Sequence, residues 1–193
     1  DVTTGEKLLA STDVHGQFAG IPVVVQAVNA INKTSMARSV MESALGVDKD
    51  AWLPELATKK FRSLAPKAKS SKTVNGEKTP GKVVIYSTCY VNYNEPGIGM
   101  DLLKILDHND IPYELVSKEK CCGMPKLELG DLKSVDENKQ INIPILAKYA
   151  REGYAILSAV PSCTLMFKQE LPLMYPDDTE TQLVKAHMWD PFE

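Results

Sequence analysis

The sequence predicts an α/β fold: a small parallel sheet with helical crossovers, preceded by a mostly helical connector segment. Three observations lead there. After residue 82, short β-rich runs alternate with helical stretches, the pattern of parallel strands joined by right-handed crossovers. Before residue 66, apolar residues recur at helical spacing. Between the two lies a lysine run set among Ser, Thr, Gly and Pro, the composition of a solvated linker.

Taken in order, residues 1–65 read as helices separated by turns, with Val40, Met41, Ala44 and Leu45 at helical spacing and Gly46 as a stop. His15 lies alone there and reads as a surface or structural residue. Residues 66–82, with Lys67, Lys69, Lys72, Lys78 and Lys82, form the linker. Val83-Val84-Ile85-Tyr86 is the first strand, followed by Cys89 and a turn through Asn92 to Gly97. Pro96 suits the first turn of a helix whose apolar stripe, Met100, Leu102, Leu103, Ile105 and Leu106, ends near Asn109. Tyr113 to Val116 is the second strand, with Cys121-Cys122-Gly123 in the loop after it. Ser134 and Glu137 form a capping-box signature for a helix toward Arg151, with Gly153 as its stop and Pro144 expected to kink or split it. Tyr154 to Val160 is the third strand, and Cys163 precedes a helical stretch from Thr164 to Glu170. Residues 83–193 thus read as one cysteine-rich α/β domain, and its last residues, Trp189 to Glu193, look like the start of a further element in a truncated repeat.

Composition narrows the function. With 193 residues, 44% of them hydrophobic, the chain can bury a core. A net charge of -3 gives no basic field, so nucleic-acid binding has no support. The most apolar stretch, Gly20 to Ile31, is too short to cross a bilayer, and no signal peptide opens the sequence. Asn32-Lys33-Thr34 matches a glycosylation sequon but reads as a surface loop. Two disulfides in a secreted domain fit less well than a metal site in a reducing cytoplasm. No Gly-rich dinucleotide fingerprint and no nucleophile with a base is present, and His108 and His187 are isolated.

The four cysteines carry the chemistry. Cys89 follows the first predicted strand, Cys121 and Cys122 the second, and Cys163 the third. The carboxyl ends of parallel strands share one edge, where open α/β folds place ligands, so the sulfurs should converge. Helices starting near Cys89 and Cys163 would favour thiolates. Adjacent thiolates repel unless a cation lies between them, which a metal resolves. Thiolate ligation suits an iron–sulfur cluster or tetrahedral zinc. The wide spacing favours iron, since structural zinc draws on close pairs such as Cys-x-x-Cys. A thiol–disulfide protein using Cys121 and Cys122 is a further reading.

Cys89-Tyr-Val-Asn-Tyr, Lys118-Glu-Lys-Cys-Cys-Gly-Met-Pro and Pro161-Ser-Cys-Thr-Leu-Met-Phe-Lys-Gln-Glu-Leu-Pro resemble the cysteine-rich CCG domain family. This family includes the heterodisulfide reductase B-type polypeptide and the iron–sulfur polypeptide of glycolate oxidase. The motif wording is most like that of the C-type polypeptide of anaerobic glycerol-3-phosphate dehydrogenase. The resemblance covers residues 82–193 and, more loosely, 13–61 as the connector that follows a ferredoxin-like domain in such proteins. It implies an electron-transfer subunit of an oxidoreductase complex, carrying electrons from a flavin dehydrogenase of the glycerol-3-phosphate or 2-hydroxy acid type toward quinone or a disulfide acceptor. The implied cofactor is a [4Fe-4S] cluster on Cys89, Cys121, Cys122 and Cys163. The alternative is a zinc-binding docking module. The implied location is cytoplasmic, at the inner face of the membrane for any peripheral association. The family pattern ends in Cys-x-x-Cys, whereas Met166 stands at the last position here. That removes one ligand of a five-cysteine noncubane cluster and leaves four, with Met166 expected to pack beside the site.

Overall fold

The computed structural model describes residues 4–12, 16, 18–66 and 81–193. His15 and the linker lysines Lys67, Lys69, Lys72 and Lys78 lie outside the described residues. Helices Thr4–Leu9, Pro22–Ile31, Ser35–Leu45 and Phe61–Leu64 precede the sheet. The third begins where the Thr34 hydroxyl accepts the Ala37 amide and ends at Gly46, as expected.

The sheet contains strands β1 (Val83–Ile85), β2 (Tyr113–Leu115), β3 (Ala155–Leu157) and β4 (Met188–Trp189) in the order β2-β1-β3-β4. All pairs are parallel, with Val84 opposite Glu114 and Ile156, and Leu157 opposite Trp189. The sequence outlined the first three strands but drew them too long. β4 was missed because two residues cannot show an alternation. β1 is central: the chain runs outward to β2 and then returns to β3 on the other side. That reversal makes the carboxyl end of β1 a topological switch point.

Alternation along the strands divides the core. Val84, Tyr86, Ile156 and Met188 face helices Leu132–Arg151 and Thr179–His187, through Val135, Ile143, Leu146, Ala147 and Val184. Val83, Ile85, Ala155 and Leu157 face helix Pro96–His108, through Leu102, Leu103 and Leu106, together with Phe61 from upstream. No described helix is long and apolar enough to cross a membrane.

Two helix boundaries differ from expectation. Helix Leu132–Arg151 is capped by the Asp131 carboxylate, which accepts the Ser134 amide, so it starts before the Ser134–Glu137 box. It also runs unbroken through Pro144. Buried residues on both sides of the proline, from Val135 to Ala150, hold the halves against one sheet face. After Cys163 the helical run Pro161–Leu165 continues through a π-helical turn, Met166–Glu170, into Leu171–Met174. Helices Cys89–Tyr93, Met124–Glu128 and Thr179–His187 were not foreseen. The first two span single turns, too short for a periodic signal. His108 closes helix Pro96–His108 at the surface, and His187 Nδ1 lies 3.0 Å from the Leu183 carbonyl oxygen.

Asp178 joins two of these helices. Its carboxylate caps Thr179–His187 by accepting the amides of Glu180 and Thr181, and it pairs with the nearly buried Lys139. The hydrogen bond from Lys139 is the main reason its pKa lies below the ordinary carboxylate range. A depressed carboxylate contributes stability above its unfolded pKa of about 3.9, lost as pH falls through the lower folded value. Asp178→Ala should therefore cost about 2–3 kcal/mol at neutral pH, through a lost cap and an unpaired buried ammonium. The deficit should shrink on acidification below pH about 4, as urea melts across pH would show.

Candidate metal centre

Each cysteine lies in a short segment anchored at the carboxyl end of a strand. Cys89 is the first residue of helix Cys89–Tyr93, entered through Thr88. Thr88 has φ 64° and ψ 155°, a region that only glycine occupies without strain. A buried β-branched residue is held there because its hydroxyl accepts the Val91 amide at 3.2 Å and caps the helix. The sharp turn directs the chain from β1 into the site at once. Cys121 and Cys122 precede Gly123, whose φ of 100° lets the backbone turn into helix Met124–Glu128. Cys163 sits in the first turn of helix Pro161–Leu165, after β3.

The four sulfurs meet, and none is in a disulfide. Cys89 Sγ lies 3.8 Å from Cys121 Sγ. Cys122 interacts with the thiols of both Cys121 and Cys163, which are the first causes of its raised pKa. Cys121, Cys122 and Cys163 are buried, whereas Cys89 is partly exposed. Thiol hydrogen bonds from Cys122 and then Cys89 hold Cys121 far below the ordinary thiol range, against the effect of burial. The Gly123 amide assists. Cys89 rises because its hydrogen is shared with Cys121, and burial adds to this. Cys122 rises for the same reasons, through Cys121 and Cys163. Among the described residues no three His, Cys, Asp or Glu side chains stand ready around a single metal ion.

The loops carrying the sulfurs are fixed by buried polar groups that sequence reasoning did not pick out. Asn142 accepts the Lys120 amide at 2.9 Å and donates to the carbonyls of Lys120 and Cys121, both at 3.2 Å. Asn138, one turn earlier, donates to the Cys121 carbonyl at 3.1 Å. These asparagines lie at i and i+4 within the buried stripe of helix Leu132–Arg151, and a polar pair inside an apolar stripe was the signal available. The Tyr86 hydroxyl donates to the Lys120 carbonyl, and its ring stacks edge-on against Phe167 with centroids 5.1 Å apart. Met166 is fully buried beside the cysteines, as expected, and its Cε would touch a Cβ placed on Gly123.

An ion pair from the upstream helices completes the edge. Arg62 donates to the Val116 carbonyl at 2.7 Å and to Ser87 Oγ at 3.2 Å, and lies 3.4 Å from Glu119. Glu119 accepts the Ser87 amide at 2.9 Å. Its pKa is raised by burial, with Arg62 opposing. One guanidinium thereby ties the loop after β1 to the loop after β2.

Four sulfurs gathered at this edge suit a thiolate-bound metal centre. The fold and site define a cysteine-rich α/β domain. Residues 83–168 match the model of the cysteine-rich CCG domain. The chain is 27% identical over 170 residues to the C-type polypeptide of anaerobic glycerol-3-phosphate dehydrogenase from Escherichia coli K12, covering 86% of this chain and 40% of the relative. It is 25% identical over 137 residues to the B-type polypeptide of fumarate reductase (CoM/CoB) from Methanothermobacter marburgensis, covering 70% and 27%. The lactate utilization protein of the A type from Bacillus cytotoxicus is 27% identical over 97 residues, covering 50% and 38%. The chain spans less than half the length of each of these relatives. Two of the three are named as oxidoreductase subunits. No solved structure gives a significant match.

Two outcomes follow from the scaffold. Thr88→Gly should be more stable than Thr88→Ala by about 1 kcal/mol or more, because both lose the cap but only glycine relieves a strain of about 1–3 kcal/mol. Asn142→Leu should cost about 1–3 kcal/mol, because it leaves the Lys120 amide buried without its partner. Chemical denaturation of the variants measures both.

Proposed function

We propose that this chain is an iron–sulfur electron-transfer subunit of an oxidoreductase complex, with a [4Fe-4S] cluster held by Cys89, Cys121, Cys122 and Cys163. The gathering of four thiols at the switch point, none in a disulfide and all from one largely buried edge, carries the reading. Such a cluster, when bound, takes up and passes on single electrons. The chain's own part is to hold the four sulfurs in place and exclude water from three of them. Asn138, Asn142 and Tyr86 fix the paired-cysteine loop, and Thr88 fixes Cys89. The partly exposed Cys89 marks the side from which a redox partner has the shortest approach.

By likeness to the glycerol-3-phosphate dehydrogenase relative, the electron donor is a flavin-containing dehydrogenase subunit acting on glycerol 3-phosphate or a 2-hydroxy acid. The acceptor is quinone or a disulfide. The complex is cytoplasmic and bound peripherally at the inner face of the membrane. Residues 1–65 serve as connector, 66–82 as linker, and 83–193 as the first CCG-type repeat.

The separation of Cys89 and Cys121 favours a second reading. Two thiolates bound at about 2.3 Å to one tetrahedral zinc stand about 3.8 Å apart, the spacing found here. In that case the domain is a structural docking module.

Iron, sulfide and zinc analysis with EPR on anaerobically purified protein separates the two. The expected result is about four irons and four sulfides per chain, with each Cys→Ser variant losing most of its iron. One zinc and no iron would overturn the relay reading in favour of the docking module.

A further inference from the structure

Cys89 and Cys121 come from different loops, yet their sulfurs lie 3.8 Å apart, and neither is in a disulfide. The two loops leave adjacent strands, with Ile85 opposite Leu115. Neighbouring strands stand about 4.8 Å apart, and a disulfide spans Cα atoms about 4.4–6.8 Å apart, so chains leaving this pair of strands start within its reach. Burial then separates the four thiols by access. Cys121, Cys122 and Cys163 are 1%, 3% and 4% exposed, whereas Cys89 is partly open to solvent.

Two competing pairs meet obstacles. Cys121 and Cys122 are consecutive, and Cα atoms joined by a trans peptide stand about 3.8 Å apart, short of the disulfide range. Closing that pair would distort a peptide whose carbonyl, that of Cys121, accepts from Asn138 at 3.1 Å and from Asn142 at 3.2 Å. Cys122 and Cys163 are both buried, which shields that pair from a dissolved oxidant.

We infer that Cys89 and Cys121 are a redox-sensitive pair: in the metal-free chain a peroxide oxidises Cys89, and Cys121 then closes a disulfide that blocks the site until it is reduced. The Cys89 thiolate attacks one peroxide oxygen, and an S–O bond forms as the O–O bond breaks and hydroxide leaves. The Cys121 thiolate attacks the Cys89 sulfur, the S–S bond forms, the S–O bond breaks, and a second hydroxide leaves. The two protons given up by the thiols turn both hydroxides into water, and two electrons have passed from the sulfurs to the peroxide. Metal binding then has two thiolates where it had four, so reduction must precede loading. The pairing does not depend on which metal the site holds.

The test strips metal from the full chain with a chelator under anaerobic conditions, adds hydrogen peroxide, blocks the remaining thiols and maps the peptides by mass spectrometry without reduction. The expected result is one link within the chain, Cys89 to Cys121, with free thiols falling from four to two. Iron and zinc uptake should be lost and should return after treatment with dithiothreitol. Cys122→Ser and Cys163→Ser should form the same link, and Cys89→Ser should form none. The wild-type map decides even where a variant fails to fold. A link between any other pair, a link between chains, a Cys89 oxidised to the sulfinic acid beside a free Cys121, or four thiols left unreacted overturns the inference. A chain that holds four irons yet gives one of those maps leaves the relay reading standing. A chain that forms the expected link but takes up zinc and no iron overturns the relay reading and leaves the redox pair in place.

Discussion

Bringing four sulfurs into one largely buried site sets a hard electrostatic constraint, and much of the surrounding structure answers it. Ionised thiolates in contact repel strongly at low dielectric, while neutral thiols bring little binding energy of their own. Hydrogen bonding from Cys122 and Cys89 holds the Cys121 thiol low, while Cys89 and Cys122 are pushed up in exchange. The Gly123 amide acts on Cys121 in the same direction. A cationic centre would remove the repulsion that thiol sharing only limits.

Holding the sulfurs there requires loops that do not move, and each is fixed by a different device. Backbone strain at Thr88, offset by a helix cap, turns the chain from β1 into Cys89. Two buried asparagines and a tyrosine hydroxyl occupy the polar backbone around Cys121. Strands of two or three residues serve this purpose well, because every sulfur lies only a few residues beyond the hydrophobic core. The same core cluster that contains Val84 and Ile156 also contains Cys121, Cys122, Cys163 and Met166.

The parallel sheet and the convergence of the cysteines were legible because both follow from patterns that survive in one dimension. β-rich runs alternate with helical stripes, and each cysteine position follows a run. The polar supports were not legible for a physical reason. Asn138 and Asn142 look like ordinary helix residues until the face they occupy is known to be buried. The φ of Thr88 has no signature at all, since threonine there contradicts local preference. Arg62 lies far upstream, in a stretch whose helical pattern points to no chemistry. The capping box at Ser134 matched its motif, yet Asp131 one turn earlier gave the helix a carboxylate cap.

Arg62 and Phe61 change how the upstream segment should be understood. A tether would need only to reach the domain, and its side chains would be free to face solvent. Here Arg62 bridges two sulfur-bearing loops, and Phe61 is fully buried in the core beneath β1. Removing these residues would expose the carboxyl edge of the sheet and leave Glu119 buried without its guanidinium. The arrangement is that of a cover built by the upstream helices over one side of the site. Cys89, the thiol left partly exposed, then marks the one side on which the group of sulfurs stays open.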